Sequence, residues 1–121
     1  MSKLLIIEDE PALREMYCQV SAESGLEVVS AETAEEGLLM LEQEAPDLVL
    51  LDILLPNADG TKVLEQMRRD PKTAKTKVLV FSNFDDKTTR EKSKKLGALE
   101  YLIKTEFTPR EIIEKIMSYL P

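Results

Sequence analysis

An open α/β architecture, a five-stranded parallel sheet wound on both faces by helices, is predicted for this 121-residue chain by two observations. Strand-like and helix-like patterns alternate from end to end, five of each, as successive βαβ units around a parallel sheet require. The apolar runs also finish on residues able to do chemistry. Lys3-Leu4-Leu5-Ile6-Ile7 runs into Glu8-Asp9, Leu48-Val49-Leu50-Leu51 into Asp52, Val78-Leu79-Val80-Phe81 into Ser82, and Tyr101-Leu102-Ile103 into Lys104. In such a sheet the carboxyl ends of the strands share one edge, the edge that binds ligands. Four distant segments therefore deliver three acids, a hydroxyl and an amine to one place. Packing alone does not explain that convergence.

Each element has a local reason. The first helix starts at Pro11, a favoured first-turn residue, and Leu13, Met16, Tyr17 and Val20 mark its inner face before Gly25 ends it. A second strand runs from Leu26 to about Ala31. Thr33 or Ala34 opens the second helix, whose Ala34, Leu38, Leu41 and Ala45 share a side, and Pro46 stops it. The third strand spans roughly 47–51, followed by a loop with Pro56 and Asp59-Gly60. The third helix, about 60–69, buries Val63, Leu64 and Met67 and ends before Pro71. Strand four takes 77–81, and the polar segment 86–96 has only Leu96 as a strong apolar residue before Gly97. Strand five takes about 99–103, and Thr108-Pro109-Arg110-Glu111 is a capping box that opens the last helix. Ile112, Ile113, Ile116, Met117 and Leu120 form its inward stripe.

Composition narrows the function classes. The chain reads as one domain, residues 1–121, without linker, repeat or output domain. A net charge of −7 argues against direct nucleic-acid binding by electrostatics. Cys18 is the single cysteine, so neither an intramolecular disulfide nor a thiolate cluster is available, and a reducing, cytoplasmic setting is expected. No signal peptide is read at the start, and no apolar run approaches bilayer length, so no membrane partner is expected. Histidine is absent. Any chemistry here uses carboxylates, a lysine and hydroxyls.

Taken singly, Asp52 reads as a loop acid and Glu8-Asp9-Glu10 as favourable charge ahead of a helix. Both sets at one sheet edge read differently. Close carboxylates repel, and a cation relieves them. All-oxygen ligation by carboxylates and water suits Mg²⁺, and Mg²⁺ beside a free carboxylate suits phosphoryl transfer. Lys104 supplies a second positive charge and Ser82 a hydroxyl.

These residues carry a family resemblance. The chain resembles a response-regulator receiver domain, of the chemotaxis-regulator kind, over essentially its whole length. The matching motifs are Ile6-Ile7-Glu8-Asp9-Glu10, Asp52-Ile53-Leu54-Leu55-Pro56-Asn57-Ala58-Asp59-Gly60, Ser82, and Tyr101-Leu102-Ile103-Lys104. The resemblance implies a flavodoxin-like fold with strand order 2-1-3-4-5. It implies that Asp52 is the phosphoacceptor and that Asp9, Asp52, the backbone carbonyl of Leu54 and, through water, Glu8 hold Mg²⁺. Lys104 would pair with the phosphoryl group, Ser82 would move toward it, and Tyr101 would be the coupled aromatic switch. The implied phosphodonor is a sensor histidine kinase or phosphotransfer protein. The output would be a protein partner on the 85–121 face, or a phosphorylation-dependent dimer.

The chain departs from the family at two positions beside the site. Thr105 follows the lysine where a cis-linked proline is usual, which leaves the geometry of the Lys104–Thr105 peptide open, and Asn83 follows the hydroxyl where a small residue is common. Leu54 and Phe84, each two residues beyond a site residue, suggest an apolar rim that slows hydrolysis of an aspartyl phosphate. The segment 85–95 is locally basic and too polar to hold tightly to a core, which suits either a solvated face or a movable output element. Three alternatives compete. An aspartate-nucleophile phosphatase wants an acid where Leu54 stands, a dinucleotide binder wants a glycine in the first βα turn, and a pseudo-receiver would act without phosphate.

Overall fold

The computed structural model describes residues 1–56 and 58–121. Asn57, part of the acceptor motif above, lies outside the described residues. The order is β1 (Lys3–Ile7), α1 (Pro11–Glu23), β2 (Glu27–Ala31), α2 (Ala34–Glu44), β3 (Leu48–Asp52), α3 (Gly60–Arg69), β4 (Lys77–Ser82), α4 (Lys87–Lys95), β5 (Glu100–Ile103) and α5 (Pro109–Ser118). The strands form one parallel sheet in the order β2-β1-β3-β4-β5, as expected of a flavodoxin-like fold.

Both faces of the sheet are covered, so its central strands are apolar on both sides instead of alternating. All five residues of β3 are buried. Leu5, Ile7, Val49, Leu51, Val78 and Val80 point to the layer holding Leu41 of α2 and Val63, Leu64 and Met67 of α3. Leu4, Ile6, Leu48, Leu50, Leu79 and Phe81 face Tyr17 of α1 and Ile112, Ile113 and Ile116 of α5. Among the described residues, no helix is long and apolar enough to cross a membrane.

Strand register aligns the site. Ile7 lies opposite both Ala31 and Leu51, Asp52 opposite Phe81, and Ser82 opposite Ile103. The residues at or just past these positions, Glu8, Asp52, Ser82 and Lys104, thus reach the same edge.

The helix ends follow their sequence signals. Thr33 caps α2 by accepting from the Glu36 amide at 3.1 Å, and Thr108 and Glu111 complete the capping box of α5. Three expected inward residues are corrected. Met16 and Met117 are 39% and 42% exposed, because each lies off the helix face that Tyr17 and Ile116, respectively, turn into the core. Ala45 is exposed and closes α2 in a left-handed conformation (φ 44°) instead of extending its buried side. Two short elements went unanticipated: an antiparallel ladder pairing Leu54–Leu55 with Ala58–Asp59, and a 3-10 turn over Lys104–Glu106.

The polar α4 buries only Ser93 among its described residues. It is held by polar contacts to α3: Lys92 pairs with Glu65 at 2.8 Å, and Arg68 donates to the carbonyl of Leu96 at 2.7 Å. Arg68 also donates to the carbonyls of Ala74 and Thr76, at 3.1 and 2.7 Å, fastening the loop ahead of β4.

Candidate phosphoryl-transfer site

Glu8 follows β1, and its amide continues the sheet by donating to the Ala31 carbonyl at 3.0 Å. That bond fixes the backbone while the side chain turns inward to 1% exposure. Asp9 is half-buried beside it. Asp52 ends β3 at 3% exposure, and one of its carboxylate oxygens accepts from the Leu54 amide at 3.0 Å. Carboxylate oxygens of Glu8, Asp9 and Asp52 all lie within 4.8 Å of one another.

The loop after Asp52 depends on Gly60. Its amide donates to the Ile53 carbonyl at 2.8 Å, and a Cβ there would sit 2.6 Å from the Asp52 carbonyl and 2.7 Å from the Ile53 Cα. Only glycine permits that approach. The turn keeps the Leu54 peptide against the Asp52 side chain, while the Leu54 side chain points outward at 53% exposure.

Lys104 reaches back across the edge from the 3-10 turn. Its ammonium donates to Glu8 and, at 3.0 Å, to the second carboxylate oxygen of Asp52. No peptide bond among the described residues is cis, so Thr105 follows Lys104 through a trans link.

Charge and burial compete here. Burial foremost, with the neighbouring Glu8 charge, pushes the Asp52 carboxyl up to about 7 despite the Lys104 contact. Burial also works against Glu8, but the bonds from Lys104 and Asp52 prevail and hold its carboxyl below the usual range. For Lys104, burial opposes the charge and the two acids outweigh it, leaving the ammonium above its ordinary value. The donor set is thus three oxygen-bearing acids with one internal cation, short of full neutralisation, and it fits a hard divalent cation.

Ser82 and Tyr101 sit beside this core but are engaged elsewhere. Ser82, fully buried, accepts from the Phe84 amide at 2.9 Å. Tyr101, half-buried, donates its hydroxyl to the Phe84 carbonyl, and the Arg90 guanidinium lies 5.0 Å from its ring centre while pairing with Asp85 at 2.6 Å. Leu54 and Phe84 line one open groove together with Asp9.

Sequence reasoning missed Arg14. From the first turn of α1 it donates to the Glu8 carbonyl at 3.0 Å and the Asp9 carbonyl at 3.4 Å, bracing the segment that carries both acids. Its place one turn after Glu10 was legible, but the direction of its side chain was not.

The family model described as "Response regulator receiver domain" matches residues 4–117. The phosphate regulon transcriptional regulatory protein PhoB of Escherichia coli (strain K12) is 30% identical over 118 residues, covering 98% of this chain and 51% of that protein. Protein PilH of Pseudomonas aeruginosa is 31% identical over 104 residues, covering 86% of each. The crystal structure of a CheY-like receiver domain protein from Methanospirillum hungatei JF-1 superposes with a TM-score of 0.90 at 31% identity, covering 98% of this chain and 92% of that one. The chain spans about half the length of several curated relatives it matches, PhoB among them. Neither the phosphatase nor the dinucleotide reading is favoured by these matches. A buried aspartate, two further acids and a lysine at one sheet edge, on this fold and with these relatives, lead to one assignment: the chain belongs to the response regulator receiver domain family, the signalling switches of two-component systems.

Proposed function

We propose that this chain is switched by phosphorylation of Asp52. The observation that carries the reading is the placing of buried Asp52 within 4.8 Å of two further acids and within 3.0 Å of the Lys104 ammonium. Asp9, Asp52 and the Leu54 carbonyl would hold Mg²⁺, with Glu8 joining through water. Bound there, Mg²⁺ would supply positive charge to offset that of the acids and the phosphoryl group.

The chain's own residues do the rest. A cation-relieved Asp52 is ionised and acts as nucleophile: its oxygen bonds to phosphorus, the donor's P–N bond breaks, and the electron pair leaves with the donor imidazole. The donor would be a phosphohistidine on a sensor kinase or phosphotransfer protein. Lys104 keeps one contact to Glu8 and turns its remaining donors to a phosphoryl oxygen. Ser82 supplies a hydroxyl donor once it exchanges Phe84 for the new oxygen. Tyr101 follows, because its hydroxyl is bonded to the same residue, Phe84. The output surface would be the 85–121 face, carrying α4, β5 and α5, read by a protein partner or by a second copy. Nucleic acid would not be a direct partner of this chain, and a cytoplasmic setting is proposed from the cysteine content.

Incubation with Mg²⁺ and acetyl phosphate, followed by intact-mass measurement, tests the reading. Wild type should gain one phosphoryl group and Asp52→Asn none. Absence of the gain in wild type, or its presence in the variant, overturns the proposal.

A further inference from the structure

The position of Lys104 poses a physical problem. A lysine side chain has many rotamers and its ammonium is a compact, strongly hydrated charge, so holding it at one point needs contacts on more than one side. Two sides are supplied by Glu8 and Asp52. The third is the ring of Phe81, whose centre lies 4.6 Å from the ammonium nitrogen. Phe81 is fully buried, precedes Ser82 on β4, and lies opposite Asp52 in the sheet. Its ring is fixed in turn by Tyr17 of α1, 5.1 Å away between centres and at 78° between planes, an edge-to-face pair. Tyr17 is 2% exposed. Packing would be served by an aliphatic residue at either position. An ammonium lodged at 10% exposure is served by the electron-rich face of a ring.

We propose that Phe81, oriented by Tyr17, is a positioning residue that seats the Lys104 ammonium at the phosphoryl-transfer site. The seat acts at the step where acid contacts change. Once Asp52 carries a phosphoryl group, one of the two carboxylates facing Lys104 has lost its free charge. The ring face is unaltered by that event and keeps the ammonium within reach of the incoming oxygens. The proposal rests on the role assigned to Lys104 above.

The first test reads the contact without phosphate. In wild type, the ε-methylene protons of Lys104 should resonate upfield through the ring current of Phe81. The shift should vanish in Phe81→Leu, which keeps apolar bulk, and persist in Phe81→Tyr, which keeps the ring. The second test is a double-mutant cycle on the rate of phosphorylation by acetyl phosphate with Mg²⁺. Phe81→Leu should slow wild type by roughly five- to thirtyfold, the range of one ammonium–ring contact from exposed to desolvated. It should cause no further loss in a Lys104→Met background. Equal slowing in both backgrounds would show mere packing and overturn the seat, as would an unmoved Lys104 resonance in a chain that still takes phosphate. A wild-type chain that takes no phosphate overturns instead the function proposed above, and the role of the seat with it.

Discussion

Arg68 on α3 ties down the end of α4: its guanidinium donates to the carbonyl of Leu96, the residue closing that helix, at 2.7 Å. With Ala74 and Thr76 also bonded, one side chain joins three chain segments. Arg68→Ala should therefore destabilise the fold by about 2 kcal/mol, the scale of lost charge-assisted hydrogen bonds. Urea unfolding measures that loss, and amide hydrogen exchange should speed first in α4. Arg68→Lys should recover little, because an ammonium does not span the separate carbonyls.

Gly60 sets the shape of the loop after Asp52. In Gly60→Ala the added methyl meets backbone at 2.6 and 2.7 Å, from the Asp52 carbonyl and the Ile53 Cα, and neither can swing aside as a side-chain tip would. The expected cost is about 2–3 kcal/mol in thermal or urea unfolding, of the size seen for overpacking. Phosphorylation by acetyl phosphate should slow as well, because the displaced backbone carries Asp52. A fully wild-type melting curve would contradict this geometry.

Asp52 makes the metal-free fold pH-dependent. Its carboxyl lies near 7 in the folded chain against an ordinary 3.8, so the folded state binds that proton more tightly than the unfolded state does. The stability it contributes is complete below about pH 4 and is lost as pH rises toward about 7. Without divalent cation, Asp52→Asn should be more stable than wild type at pH 8, by about 2 kcal/mol, and the two should converge near pH 4. Urea titrations in chelator at both pH values measure the difference. Mg²⁺ should raise the stability of wild type more than that of the variant.

The rim of the site should govern how long a phosphoryl group survives. Leu54 and Phe84, 53% and 41% exposed, line the groove that Asp9 also lines. Neither side chain offers water a hydrogen-bond partner. Leu54→Asn combined with Phe84→Glu should speed loss of phosphate by roughly tenfold, the scale of one well-placed polar contact. Radiolabel or mass-spectrometric decay curves give the comparison.

Most of the architecture was legible because periodicity and punctuation agree along this chain. Pro11, Thr33, Gly97 and the Thr108–Glu111 box each mark an element end that the structure places within a residue or two. The site was legible because strand ends in a parallel sheet converge, so Glu8, Asp52 and Lys104 could be brought together from sequence position alone. Contacts that depend on rotamers were not. Nothing in the order of residues told that Arg14 turns back under the acids, that Arg68 crosses to α4, or that Phe81 lies beneath Lys104. Met16 and Met117 misled for a related reason: helix spacing gives a direction in the wheel, not how much of that side the core covers. The ladder at Leu54–Leu55 and Ala58–Asp59 was hidden because two-residue strands carry no period to detect.

Phe84 is bound at both ends of its peptide framework: its amide donates to Ser82 and its carbonyl accepts from Tyr101. Under the proposed switch, a turn of Ser82 toward Asp52 with Tyr101 following would forfeit both bonds. At about 1 kcal/mol for each net hydrogen bond, the turned arrangement would start roughly 2 kcal/mol uphill and would hold only about 3% of molecules at rest. The unphosphorylated chain would thereby be kept quiet without a lock. An input need supply only a few kcal/mol of preference for the turned form to invert the populations. Two hydrogen bonds on one residue would thus set both the background signal and the threshold for response.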